Sequence, residues 1–482
     1  MLLRCEIDIC IAEGKEWKMI QINWKNASAE VIGREHGITL EEMATTLSKV
    51  DKAHRAVLLQ WQAGQLGYAN LPFRTDYRDM VMNLVQKYRG SISDLVILGI
   101  GGSALGNIAL QMALNPLNYN MMSDRRRSGP RLFVIDNIDP CLLGEVLLLL
   151  GRRINKTLFN VISKSGRTAE TAALFMIVRS ILHKRLGEKF AEHIVAITDP
   201  EKGALREMAA ADGYATLPIP PDVGGRFSVL SPVGLFSAAM CGIDIDALLA
   251  GAAEMANRIK TSPVEKNPAC TLAAIKFLML IEKGKDIQVM MPYSNHLLGL
   301  ADWYRQLWAE SLGKSTKRDG NANRIAPTPI KALGATDQHS QIQLYREGPN
   351  DKLIIFLQVN KHPHDERLPD IDIPALDYLK RVRLSKLLEV EKVATAYALA
   401  QSSRPSITIH FDAITPENVG AFIFLYEYTT SLMGELLNID AYNQPAVELA
   451  KHATIAVLAG SADKQLAGRI RQFTFSDKRY LI

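Results

Sequence analysis

Short apolar runs that recur at α/β spacing constrain this chain more than any other feature. The first covers 94–100, and similar runs follow at 131–136, 158–163 and 193–198. Helical patterns separate them, as over 169–186. Runs of about 4–8 residues without polar alternation suit strands buried on both faces. Such strands alternating with helices predict a parallel sheet covered on both sides. The rhythm returns at 287–291, 353–357 and 406–410. A chain of 482 residues is also too long for one ordinary core. The reading is therefore α/β, with two doubly wound parallel-sheet domains. The expected division is a helical N-terminal segment over 1–65, a first α/β domain over 66–225, a second over 226–415 and a helical segment over 416–482.

Hydrophobic residues make up 48% and charged residues 22%, an ordinary globular balance that excludes disordered and collagenous classes. A net charge of +5 is a weak bias over this length. The basic run Arg125-Arg126-Arg127 lies between turn-forming residues with no stacking aromatics beside it. It reads as a solvated loop, so no nucleic-acid partner is expected. Cys5, Cys10, Cys141, Cys241 and Cys270 are scattered without a Cys-x-x-Cys pair. Neither a disulfide framework nor a zinc site is indicated, and a cytoplasmic setting is expected. Glu6, Asp8, Glu13 and Glu16 interrupt the N-terminus, which does not read as a secretory signal and is compatible with an extension upstream of the folded domain. No run approaches the ~20 apolar residues of a spanning helix, so no membrane partner is expected.

Three glycine- or hydroxyl-rich segments follow strands or turns. Open parallel sheets take their ligands outside the carboxyl ends of the strands. Gly99-Ile100-Gly101-Gly102-Ser103-Ala104 lies between a strand and a helix. Glycines there allow a sharp turn and close approach to a ligand, and the helix start attracts an anion. Alone, it fits a dinucleotide site, a sugar-phosphate site or a plain tight turn; Asp136, ending the next strand, keeps the first open. Ser163-Lys164-Ser165-Gly166-Arg167-Thr168 sits in an equivalent place. Its hydroxyls and amides suit phosphate oxygens held without a metal, and Thr168 also suits a helix N-cap. A second phosphate loop in one sheet argues against a dehydrogenase, whose dinucleotide pyrophosphate needs one. In Gly224-Gly225-Arg226-Phe227-Ser228, a glycine pair aims a permanent cation.

The run from Asp222 to Gly234 closely resembles the glucose-6-phosphate isomerase family. Further motifs resemble that family in order. Gly101-Gly102-Ser103 and Ser163-Lys164-Ser165-x-x-Thr168 are similar to its phosphate-binding loops. The run from Trp303 to Lys314 resembles the helix carrying its catalytic glutamate, here Glu310, with Gln306 one turn earlier on the same face. Thr336 to Gln341 resembles the segment of its ring-opening histidine, His339, and Asn443 to Lys451 its C-terminal motif, with Gln444, Glu448 and Lys451 in register. Asn443 and Ala446 depart from the usual Asp and Gly of that motif. The resemblance covers about residues 90–455.

The resemblance implies two sugar-isomerase (SIS) type domains and interconversion of glucose 6-phosphate and fructose 6-phosphate without metal or cofactor. It implies that Gly102, Ser103, Ser163, Lys164, Ser165 and Thr168 hold the phosphate, and that Gly225, Gln306 and Gln444 contact the sugar. Glu310 is the implied base for C1–C2 proton transfer, and Arg226 the implied stabiliser of the cis-enediolate. His339 and Lys451 are the candidates for ring opening, with their division of labour open. It also implies a homodimer in which His339 serves the neighbouring subunit's site. Two alternatives stay open: a non-catalytic sugar-phosphate sensor, which would need no base, and an NAD-dependent dehydrogenase built on Gly99 to Ala104.

Overall fold

A computed structural model describes residues 20–459, 464–472 and 479. Cys5, Cys10 and the N-terminal stretch 1–19 lie outside the described residues. Ten strands are described: β1 (Gln21–Asn23), β2 (Asp94–Leu98), β3 (Arg131–Ile135), β4 (Thr157–Ile162), β5 (Ile194–Thr198), β6 (Ala215–Pro218), β7 (Ile287–Pro292), β8 (Thr328–Lys331), β9 (Lys352–Lys361) and β10 (Ser406–Ala413). They form two five-stranded sheets, ordered β3-β2-β4-β5-β6 and β1-β10-β9-β7-β8.

The first sheet is wholly parallel. Every residue of β2, β4 and β5 is buried, as the uninterrupted apolar runs require. The two-residue period divides each strand between two cores. Leu95, Ile97, Leu158, Val195 and Ile197 face one cluster, and Val96, Leu98, Phe159, Val161 and Ala196 face the other. β3 lies outside β2 while β4 lies on its other side, so the winding reverses between β2 and β4. A crevice opens outside the carboxyl ends of two strands where the order reverses in this way. The Gly99–Ser103 and Ser163–Thr168 segments leave these same two strands.

The second sheet repeats the order, with β8 outside β7 and then β9 and β10, all parallel. β1 adds an antiparallel edge, pairing Gln21 with His410 and Asn23 with Thr408. The N-terminal region, which reads as helical, therefore also contributes a strand to the second sheet. Its long helix, Leu40–Gln62, begins at a capping box in which Thr39 and Glu42 bond each other's backbone N–H. The C-terminal region opens with the helix Pro416–Leu436, buried without interruption from Asn418 to Gly434. Buried all round, with Asn418, Glu427, Thr429, Thr430 and Ser431 among its apolar residues, it is a core helix of a large protein. It packs against the helices Ile245–Thr261 and Pro268–Ile281. The largest buried cluster draws residues from both sheets and from this helix. Among the described residues, no helix is long and apolar enough to cross a membrane.

Candidate active site

After β2 the chain makes a single 3₁₀ turn, Gly101–Ser103, before the helix Leu105–Leu114. Gly101 has φ +57°, in the left-handed region that side chains avoid. A Cβ there would stand 2.8 Å from Gln306 Nε2, and one on Gly102 only 2.1 Å from the Gly225 carbonyl oxygen. The missing side chains thus let the first loop press against both the glycine-arginine turn and the helix Leu298–Leu312. Three segments far apart in sequence meet at this point.

The loop after β4 is shaped by its own hydroxyls. Ser163 Oγ accepts from the Gly166 N–H at 3.1 Å, and Ser165 Oγ from the Arg167 N–H at 3.1 Å. Thr168 occupies the N-cap position of the helix Ala169–Leu186, yet its hydroxyl makes no capping bond. The first-turn amides therefore have no side-chain cap, which leaves an anion-attracting helix start with the Thr168 hydroxyl beside it. Lys164 reaches out of the loop, Nζ donating to the Pro221 carbonyl at 2.6 Å. It ties this loop to the segment that leads into Gly224 and Gly225.

Arg226 is 3% exposed. Its Nε donates to Ser311 Oγ at 2.7 Å, and Nη1 to Gln444 Oε1 at 2.9 Å. Nη2 donates to the carbonyls of Ala441 at 2.6 Å and Asn443 at 3.1 Å. Nη1 also lies 3.5 Å from Glu310 Oε2. Burial lowers the guanidinium's pKa from its usual value, against the opposing pull of Glu310 and Asp440. The other carboxylate oxygen, Glu310 Oε1, accepts from Gln306 Nε2 at 3.2 Å. Four-residue spacing puts these two side chains on one face of their helix, while Tyr304, Leu307 and Trp308 are buried on the other. Lys314, just past that helix, donates to the Glu310 carbonyl at 2.7 Å and to the Asn443 carbonyl.

The structure brings Gly101, Gly102, Gly225, Arg226, Gln306, Glu310 and Gln444 into one contiguous group. His339 is not in contact with it. It ends the 3₁₀ turn Thr336–His339 that follows β8 and is exposed. Asp337 pins that turn by accepting from the Leu333 N–H at 2.6 Å, and Gln338 anchors it by donating to Tyr293 Oη at 2.7 Å. Lys451 is likewise apart. It pairs with Glu448 at 2.7 Å on the helix Glu448–Ala459, both side chains 53% exposed. Sequence reasoning did not single out Ser311, Lys314 or the carbonyls of Ala441 and Asn443. The signal for Lys314 was its place four residues after Glu310, one turn away at a helix end. Backbone acceptors leave no residue-type signal.

These elements define an α/β protein with two glycine- and hydroxyl-rich loops at the switch point of a parallel sheet and a carboxylate-guanidinium pair beside the first of them. A family-wide profile described as phosphoglucose isomerase matches residues 83–476. A glucose-6-phosphate isomerase of Carboxydothermus hydrogenoformans is 46% identical over 401 residues, 82% of this chain and 86% of the relative. One from Rubrobacter xylanophilus is 41% identical over 431 residues, covering 89% and 95% of the two chains. Among solved structures, a hypothetical protein of Thermus thermophilus superposes with a TM-score of 0.80 at 34% identity, covering 92% of this chain and 100% of that one. A glucose-6-phosphate isomerase of Chlamydia trachomatis does so with 0.72 at 26% identity, covering 82% and 76%. This chain belongs to the phosphoglucose isomerase family.

Proposed function

We propose that this chain interconverts glucose 6-phosphate and fructose 6-phosphate by moving one proton between C2 and C1 through a cis-enediolate. The observation that carries the reading is the Glu310 carboxylate. Gln306 holds one of its oxygens and Arg226 flanks the other, beside the Gly101–Gly102 loop. A base at the reacting carbons needs a fixed position within reach of the proton it takes. Charge then develops on the enediolate oxygens, and a preorganised cation stabilises it without reorganising. Arg226 is that cation, and a guanidinium does not deprotonate in a protein.

The phosphate dianion takes the crevice outside β2 and β4. Ser103 and the Gly102 amide approach from one loop, and Ser163, Ser165 and Thr168 from the other. Lys164 adds positive charge nearby, and Gly225 lets the sugar approach the backbone. Gln444, already a partner of Arg226, lines the sugar end. The cyclic substrate must first open, by protonation of the ring oxygen and deprotonation of the anomeric hydroxyl. His339 and Lys451 supply that pair. His339 is exposed in its own subunit, which favours a homodimer whose partner's site it completes. Exposed apolar side chains at Leu449, Ile455 and Leu458, on the same helix as Lys451, favour a covered surface there as well. The cytoplasm is the proposed location, and Cys141, Cys241 and Cys270 are free.

A coupled assay of fructose 6-phosphate conversion, run with a strong chelator present, tests the reading. Turnover unaffected by the chelator is expected. No turnover, together with protection of the protein from heat by NADH, would favour the dehydrogenase alternative.

A further inference from the structure

Lys314 belongs to no role assigned above, yet it touches both halves of the proposed catalytic pair's support. The helix Leu298–Leu312 ends two residues before it, so the last carbonyls of that helix have no partners within the helix. Nζ of Lys314 donates to one of them, the carbonyl of Glu310 itself. The same ammonium donates to the Asn443 carbonyl, which also accepts from Arg226 Nη2 at 3.1 Å. The stretch from Ala441 to Gln444 supplies three of the acceptors that orient the Arg226 guanidinium. One cation therefore ties the end of the base-bearing helix to the segment that seats Arg226. Asn323 holds Lys314 from the other side by donating to its backbone carbonyl at 2.9 Å.

We infer that Lys314 is a positioning residue that sets the distance between the Glu310 carboxylate and the Arg226 guanidinium, acting through the Asn443 carbonyl. The inference rests on the proposed isomerase reading, in which that pair does the proton transfer. A clip of this kind works only while the ammonium keeps its proton and its donors. Lys314 is partly buried, and burial together with the neighbouring Arg226 charge pushes its pKa down to about 8, against the pull of Asp440 and Glu310. The ammonium is thus charged at neutral pH and loses its proton as the pH rises through about 8. The alkaline side of the kcat profile should then fall in the same range.

Lys314→Met and Lys314→Arg, purified as full chains, test this. For Lys314→Met, kcat should drop by about 10-fold or more, since small misplacements at a reacting centre have large rate effects. Affinity for a sugar-phosphate hydroxamate that mimics the planar enediolate should drop in parallel, while affinity for inorganic phosphate stays at the parent value. Lys314→Arg, charged at all these pH values, should move the alkaline fall of kcat well above pH 8 and recover turnover relative to the methionine variant. The inference is overturned if Lys314→Met keeps the parent kcat and hydroxamate affinity and loses only thermal stability, because the lysine is then simply a helix cap. It is also overturned if the alkaline fall stays near pH 8 in Lys314→Arg, a measurement that stands even if the methionine variant does not fold. A parent chain that turns over neither sugar phosphate would instead remove the isomerase reading, a failure separate from any difference between parent and variants.

Discussion

The Arg226 guanidinium stands 3.5 Å from the Glu310 carboxylate, yet four other acceptors hold it in place. Ser311 Oγ, Gln444 Oε1 and the carbonyls of Ala441 and Asn443 together fix its plane. Its position therefore does not depend on the carboxylate's charge. In the proposed reaction, the cation beside Glu310 stays in place where enediolate charge would develop. The pair also differs in exposure: the arginine side chain is 2% exposed and the glutamate 33%, which leaves the carboxylate open to a substrate.

Arg226→Lys retains charge but cannot reproduce a planar fork with four acceptors. Loss of one preorganised donor to a developing oxyanion costs about 100-fold or more in kcat. A fall of that order is expected, with phosphate-analogue affinity little changed because Arg226 donates to Ser311, Ala441, Asn443 and Gln444 and to neither proposed phosphate loop. Steady-state kinetics and inhibitor titration check it. Equal losses in both quantities would mean that Arg226 chiefly supports the local fold.

Thr168→Ala distinguishes a phosphate ligand from a helix cap. Because the Thr168 hydroxyl makes no capping bond, its removal should leave the melting temperature nearly unchanged. Affinity for a phosphorylated inhibitor should weaken by about 1 kcal/mol or more if a phosphate oxygen loses its donor. Calorimetric titration against thermal melting separates the two. Unchanged affinity with a lowered melting temperature would assign the residue to the helix alone.

His339→Ala should slow the cyclic substrate while sparing much of the turnover of an open-chain analogue. If the histidine serves the neighbouring site, mixing His339→Ala subunits with Glu310→Gln subunits should restore activity. Each mixed dimer would then have one site with both groups, and neither parent variant would have any. Re-association followed by assay on the cyclic substrate checks this. No recovery in verified mixed dimers would place His339 in its own subunit's chemistry.

Much of the fold was legible because buried parallel strands have an uninterrupted apolar signature. Seven of the ten described strands show it, and the structure places strands at each of those runs. β1, β6 and β8 do not show it: they are three or four residues long, partly exposed, and two of them contain proline. Near the N-terminus, β1 pairs with β10 almost four hundred residues later, a partner that local pattern cannot reveal. Of the site, the Gln306–Glu310 face followed from helical spacing and the glycine turn from its residue types. What seats Arg226 did not. Its partners at Ala441 and Asn443 are backbone carbonyls more than two hundred residues away, and any residue type could provide them. His339 and Lys451 were legible as motifs, but within one subunit they stand apart from the Arg226–Glu310 pair.

Exchange of the C1/C2 proton with solvent, followed by NMR as deuterium wash-in from heavy water, tests the role of Glu310 most directly. Glu310→Gln preserves the size of the side chain and an acceptor for Gln306 while removing the base. Exchange should fall by at least about 100-fold, the lower range for a lost general base, on both cyclic and open-chain substrates. Exchange at the parent rate in a folded Glu310→Gln protein that still binds the phosphorylated inhibitor would show that another group moves the proton.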